Sequence, residues 1–288
     1  MSASRATIQS DTVNRASLTS AEVERYLDIL GVGAARPAPE ALRQLVRAHL
    51  LRVPFESVSK LREGRLRGRH DLPRLASFLD GIERHHFGGT CYANNLHFFR
   101  LLRALGYETT LCGAEMASGP DVHVAIRVAM DGQEFLVDVG YAAPFYEPIP
   151  LDRADGLAFR FGRDSYLVHP KDAEGRTRLD VRRDGERVHG YLLSPAPRPI
   201  EHFRRAINRS YREGATFMRS LLLVRFFDSQ SVTIFNRLRI DSSPDDFSVR
   251  ELVTVDRVVE EIVGAFDMDE AVVRSAVAGL PELENPYG

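Results

Sequence analysis

An α+β chain of three successive lobes is what this sequence predicts, and three observations carry the prediction. Apolar residues recur at helical spacing through the first hundred positions. From Glu108 the period changes to alternation punctuated by Asp-Gly pairs, the mark of an antiparallel sheet or small barrel. After the proline-rich SPAPRPI, Ser194 to Ile200, helical and strand patterns mix. The expected boundaries are a disordered lead-in at 1–18, a helical bundle at 19–105, a β-barrel at 106–200 and an α/β lid at 201–288.

Each element has a local reason. Thr19-Ser20-Ala21-Glu22 has capping-box spacing and opens a helix with Val23, Tyr26, Leu27 and Leu30 on one face, stopped by Gly31. Leu42, Leu45, Val46 and His49 form the apolar face of a second helix that ends before Pro54. The basic segment Lys60 to His70 reads as an exposed loop. A third helix is expected over 72–84 and a fourth from Cys91 to Leu105. The strands ETTLCGAEM, VHVAIRVAM and QEFLVDVG follow, with Asp131-Gly132 as a hairpin turn between the second and third. Further strands are expected at 158–169, 177–183 and 188–193, the last two joined at Asp184-Gly185. SPAPRPI reads as a linker. Beyond it the pattern predicts a helix at 202–212, the strands LLLVRFF and SVTIFNRLRI, and helices at 251–266 and 270–278.

Composition narrows the function classes. The 288 residues carry a net charge of −2, so no strongly basic field recruits nucleic acid or an anionic membrane surface. No apolar run is long enough to span a bilayer, and the N-terminus lacks the apolar core of a signal peptide. The two cysteines therefore read as free thiols in a cytoplasmic protein, and the absence of CxxC spacing argues against a metal site.

One of those cysteines is singled out by its setting. In FGGTCYANN, Cys91 follows two glycines at the mouth of a helix, where peptide dipoles favour a thiolate. The glycines let the backbone turn sharply and let a substrate approach closely. A small buried filler is the alternative for this residue type. The hairpin supplies what a nucleophile needs. A two-residue turn at Asp131-Gly132 puts Asp138 opposite Ala125 and His123 opposite Gly140, so His123 and Asp138 are diagonal neighbours on one face. An imidazole held by a carboxylate takes a proton from a nearby thiol, so Cys91, His123 and Asp138 read as nucleophile, base and orienter. Cys112, inside a strand, reads as structural.

Five segments in order resemble the arylamine N-acetyltransferase family. RAHLLRVPFESV is similar to its helix ending in Pro-Phe-Glu-Asn, and FGGTCYANN to its Arg-Gly-Gly-x-Cys-x-x-x-Asn motif. GYETTLCGAEM, DVHVAIRV and VDVGYAAPFYEPIPL resemble the strand after the cysteine helix, the catalytic His segment and the Val-Asp-x-Gly-aromatic segment. The resemblance fades after about Leu151, with Phe217 as one further match. It implies a three-lobe fold of helical bundle, β-barrel and α/β lid around a cysteine-proteinase-like core. It also implies two-step transfer of an acetyl group from acetyl-CoA, through a thioester on Cys91, to the nitrogen of an arylamine or arylhydrazine. Carried over by position, Phe55, Tyr141 and Phe217 line the acceptor pocket, Asn95 faces the same site one helical turn from Cys91, and Gly140 lets the cofactor approach. The Cys91 N–H is the implied oxyanion donor.

Four positions depart from the family pattern. Phe87 stands where the family has the Arg that pairs with the Glu of Pro-Phe-Glu, leaving Glu56 either solvated or paired with Arg84, His85 or His86. Ser57 replaces an Asn, Ala93 an acid, and Ala142 a glycine, the last tightening the cofactor approach. Two other readings follow. One is an amide synthase-like acyltransferase using a carrier-bound acyl thioester, its acidic carrier meeting Arg62, Arg65, Arg67 and Arg69. The other is a non-catalytic relative that binds a small molecule.

Overall fold

The first helix starts where its capping signal stands. In the computed structural model, which describes residues 18–66, 68, 70–278 and 280, the Glu22 amide donates to Thr19 Oγ1 (3.3 Å) and the Thr19 amide to Glu22 Oε2 (2.8 Å). That pair satisfies two helix-end donors at once and launches α1 (Ser20–Leu30), which stops on left-handed Gly31. The expected lead-in lies outside the described residues up to position 17, and Leu18 packs on the first core. Next come α2 (Pro39–Arg52), the two-residue strand β1 (Phe55–Glu56), α3 (Val58–Leu61) running into a π-helical turn (Arg62–Leu66), α4 (Leu75–His85) and α5 (Cys91–Ala104). Every residue of α5 from Cys91 to Phe99 is buried. A helix covered on all sides is an interior element, and α5 is clamped between the helical lobe and the first strands of the barrel.

The barrel is one antiparallel sheet of eight strands, curled nearly closed. Its strands are β2 (Glu108–Met116), β3 (Gly119–Met130), β4 (Gln133–Val137), β5 (Ile149–Pro150), β6 (Leu157–Phe161), β7 (Asp164–Val168), β8 (Thr177–Arg183) and β9 (Glu186–Pro197), ordered β5-β4-β3-β2-β9-β8-β7-β6. Met130 pairs with Gln133, so the turn is Asp131-Gly132 alone, both at positive φ (52° and 74°), as a two-residue hairpin demands. Ile126 then faces Val137, the register the sequence predicts. The linker reading of SPAPRPI is corrected in part, because Ser194 to Pro197 continue β9 and Pro197 pairs with Cys112. Here β8 has already ended at the Thr177–Leu193 pair, so prolines without N–H interrupt no ladder on that side.

The last lobe holds a 3₁₀ turn (Ile200–Phe203), α6 (Arg204–Arg209), α7 (Thr216–Arg219), β10 (Leu222–Phe226), β11 (Ser231–Phe235), β12 (Leu238–Ser242), β13 (Phe247–Glu251), α8 (Val255–Phe266) and α9 (Glu270–Ala278). SVTIFNRLRI is two strands rather than one, since Asn236 turns left-handed (φ 50°) and Phe235 pairs with Leu238. Glu251 ends a strand, and the following helix waits for its Thr254 cap. The sheet runs β1-β10-β11-β12-β13, so its edge strand comes from the helical lobe. Leu223 and Ile234 pack on Val258, Ile262 and Phe266 beneath it. Among the described residues no helix is long and apolar enough to cross a membrane.

Candidate active site

Cys91 is the first residue of α5, 9% exposed, and Thr90 before it is extended and offers no side-chain cap. The two glycines have a different reason from the one the sequence suggests. A Cβ on Gly88 would lie 1.8 Å from the Pro54 carbonyl oxygen, and Gly89 bridges Phe55 and accepts the Glu56 amide at 3.1 Å. The close approach is between two stretches of this chain. It docks the helix start against β1 and sets where the sulfur sits.

His123 and Asp138 meet as the hairpin register requires. His123 Nε2 lies 2.7 Å from Asp138 Oδ2, both residues 2% exposed. With Nε2 taken, Nδ1 is the ring nitrogen left for the Cys91 thiol. Burial pushes the imidazolium toward losing its proton, but the Asp138 charge and hydrogen bond, helped by Cys91, outweigh it and hold the pKa at about 10. Asp138 accepts three more bonds: Tyr191 Oη on Oδ2 (2.9 Å), Asn95 Nδ2 on Oδ1 (2.8 Å) and the Gly140 amide on Oδ1 (3.2 Å). Burial keeps the Tyr191 phenol protonated and therefore a donor.

Asn95 lies behind these groups, fully buried. Its amide also donates to the Val124 carbonyl (2.7 Å) and its oxygen accepts the Val139 amide (3.0 Å). It therefore ties α5 to both strands of the hairpin and presents nothing to a substrate. Gly140 packs on Cys91 itself, where an added Cβ would meet Cys91 Cα at 2.8 Å and Cys91 O at 2.9 Å. Tyr141 stands edge-on to His123 (5.3 Å between ring centres) and hydrogen-bonds His189 Nδ1 at 2.5 Å. Phe55 and Phe217 form a T-shaped pair at 5.5 Å in a separate apolar cluster with Val224 and Phe226. Cys112 is fully buried, with burial pushing its thiol up to about 11. Sequence reasoning missed Tyr191 and His189, which β9 carries into the site across the barrel.

The sequence model of the N-acetyltransferase family matches residues 40–272 of this chain. The chain belongs to the arylamine N-acetyltransferase family. It is 34% identical over 156 residues to proansamycin X synthase of Amycolatopsis mediterranei, covering 51% of this chain and 58% of that protein. It is 26% identical over 144 residues to human arylamine N-acetyltransferase 1, covering 47% and 48%. The chain thus spans about half the length of these curated relatives. The arylamine N-acetyltransferase of Nocardia farcinica superposes with a TM-score of 0.76 at 24% identity, covering 89% of this chain and 93% of that one, and the Salmonella typhimurium enzyme with 0.76 at 19% identity, covering 91% and 100%. The expected α+β, three-lobe fold is therefore the family's own.

Against the family pattern, Glu56 is neither solvated nor paired with Arg84 or His86. It is fully buried, and its carboxyl accepts the Ser59 amide (2.8 Å), the Ser59 hydroxyl and the Gly88 amide (3.2 Å). Burial holds its pKa above the usual carboxylate range. Phe87, in the place of the family's Arg, is buried in the lid core with Arg62 over its ring at 5.7 Å. Ser57 ties β1 to the lid by accepting the Leu222 amide (3.1 Å). Ala142 takes a left-handed conformation (φ 62°) that suits glycine better.

The exposed-loop reading of 60–70 is also corrected. Lys60 is buried, donating to Ser210 Oγ (2.6 Å) over the Tyr211 ring, and Arg65 donates to the Met218 carbonyl. Arg67 and Arg69 lie outside the described residues. Arg62 and Arg65 are thus turned onto the protein and do not form the open basic patch expected of a carrier-docking surface.

Proposed function

We propose that this chain moves an acetyl group from acetyl-CoA, through a thioester on Cys91, to the nitrogen of an arylamine or arylhydrazine. The observation that carries the reading is the buried 2.7 Å hydrogen bond between His123 and Asp138, with Cys91 at the adjoining helix start acting on the same imidazole. His123 takes the thiol proton, and the sulfur attacks the acyl carbonyl. The Cys91 N–H, at an uncapped helix start, is the donor we assign to the developing oxyanion. The imidazolium then returns a proton to the departing thiol of the donor. In the second half the neutral ring takes a proton from the attacking amine as the Cys91 sulfur leaves. Asp138, fixed by Tyr191 and Asn95, keeps the ring oriented through both halves. Phe55, Phe217 and Tyr141 supply aromatic walls suited to an aryl acceptor.

Intact-protein mass spectrometry with acetyl-CoA and no amine tests this. An acetyl adduct on Cys91, absent in Cys91→Ser and discharged by an aromatic amine or hydrazine, is the expected outcome. An unmodified Cys91 that still alkylates rapidly refutes acetyl-CoA as donor. That result would favour a second reading, an amide synthase-like use of another acyl thioester. The 34% identity to a synthase supports this alternative.

A further inference from the structure

A pocket lies between the segment that leads into α4, the Arg100 end of α5 and the start of α6. Its volume is about 280 Å³. Arg74, Arg100 and Arg204, one from each of these three elements, are among its lining residues. None of the three guanidinium groups makes a hydrogen bond or ion pair among the described residues, and Arg100 Nε is shielded from solvent without a partner. Two carboxylates, Asp71 and Glu201, line the same pocket without hydrogen-bonding any of the three, and the Glu201 and Glu22 charges favour the Arg100 cation through space. Ile200 and Ile207 supply an apolar wall.

A shielded N–H left unpaired is costly. A phosphate has enough acceptor oxygens to engage several guanidinium forks at once, which one carboxylate does not. We propose that this pocket binds the phosphate group of a small phosphate ester, with the organic part against the apolar wall. Arg100 lies nine residues along α5 from Cys91, about 13 Å by helical rise, so the pocket is separate from the catalytic line.

The test is calorimetric titration of the full chain with inorganic phosphate, phenyl phosphate and benzoate at constant ionic strength in a phosphate-free buffer. Phosphate is expected to bind saturably, with a dissociation constant of about 1 mM or tighter, and phenyl phosphate more tightly still. Arg100→Gln should weaken both by about tenfold or more. The rim variant Arg74→Gln/Arg204→Gln, at exposed positions, gives the same loss without touching the helix core. Arg178→Gln, on the barrel, should leave binding unchanged. No saturable heat, benzoate binding in preference to phosphate, or phosphate binding that survives both variants would overturn the proposal.

Discussion

Replacing Gly140 by alanine separates two accounts of that glycine. In the structure its missing side chain is the space into which Cys91 packs. An added Cβ would lie 2.8 Å from Cys91 Cα, whereas ordinary contact begins at 3.4 Å, so about 0.6 Å must be taken up. Asn95 Nδ2, at 2.7 Å from the same point, is pinned by Asp138 and Val124 and yields little. Two of the three contacts are backbone atoms of Cys91, so relief means moving the start of α5. Overpacking of this kind costs about 1–3 kcal/mol. At about 2–4 °C per kcal/mol, Tm should fall by about 2–12 °C. Displacement of a reacting atom on this scale should slow Cys91 alkylation about tenfold to a hundredfold. Calorimetry gives the first number. Iodoacetamide kinetics followed by peptide mass spectrometry give the second, with buried Cys112 as internal reference. If instead Gly140 serves close approach of the acyl donor, Gly140→Ala will keep wild-type Tm and alkylation and raise only the KM for acetyl-CoA. That result would refute the packing argument.

Three further outcomes follow from the same geometry. His123 should hold its proton to about pH 10, so its contribution to stability is complete below an ordinary imidazole's value near 6.5 and is lost as pH rises through about 10. Ring ¹⁵N shifts read this directly, with the midpoint falling in Asp138→Asn, and a wild-type midpoint near 6.5 contradicts it. Tyr191→Phe removes one of four bonds to Asp138 and should cost about 1–2 kcal/mol in denaturant unfolding while lowering the His123 midpoint; stability lost with no change in that midpoint would make Tyr191 a packing residue only. Ala142→Gly relieves a left-handed alanine and should stabilise the chain by about 0.5–1 kcal/mol, whereas a lower Tm would show that its methyl packing on the Phe55 cluster dominates.

What was legible in the sequence was what local chemistry determines. Two residues that favour positive φ set the Asp131-Gly132 turn, and that turn alone places His123 beside Asp138. The capping box and the Gly31 stop are likewise properties of a few consecutive residues. What escaped is what distant segments impose. Tyr191 reaches Asp138 only because β9 crosses back to pair with β2, and nothing within 188–193 marks one residue as a partner of Asp138. Lys60 sits in a basic stretch that reads as solvated, yet the end of α6 folds over it. Glu56 looked orphaned because its expected partner was a charge, and backbone amides carry no sequence signal. The prolines of SPAPRPI suggest a linker until the ladder on one flank is known to have ended.

The edge strand β1 has a consequence for biosynthesis. Phe55 and Glu56 pair with Val224 and Leu223, while Gly88 and Gly89 hold the nucleophile's helix against that same short strand. On a translating ribosome the helical bundle and barrel emerge long before their partner at β10. Until then the segment that seats Cys91 has an open edge and an incomplete floor. The helix start that carries Cys91 therefore gains its full support only once β10 has emerged to pair with β1.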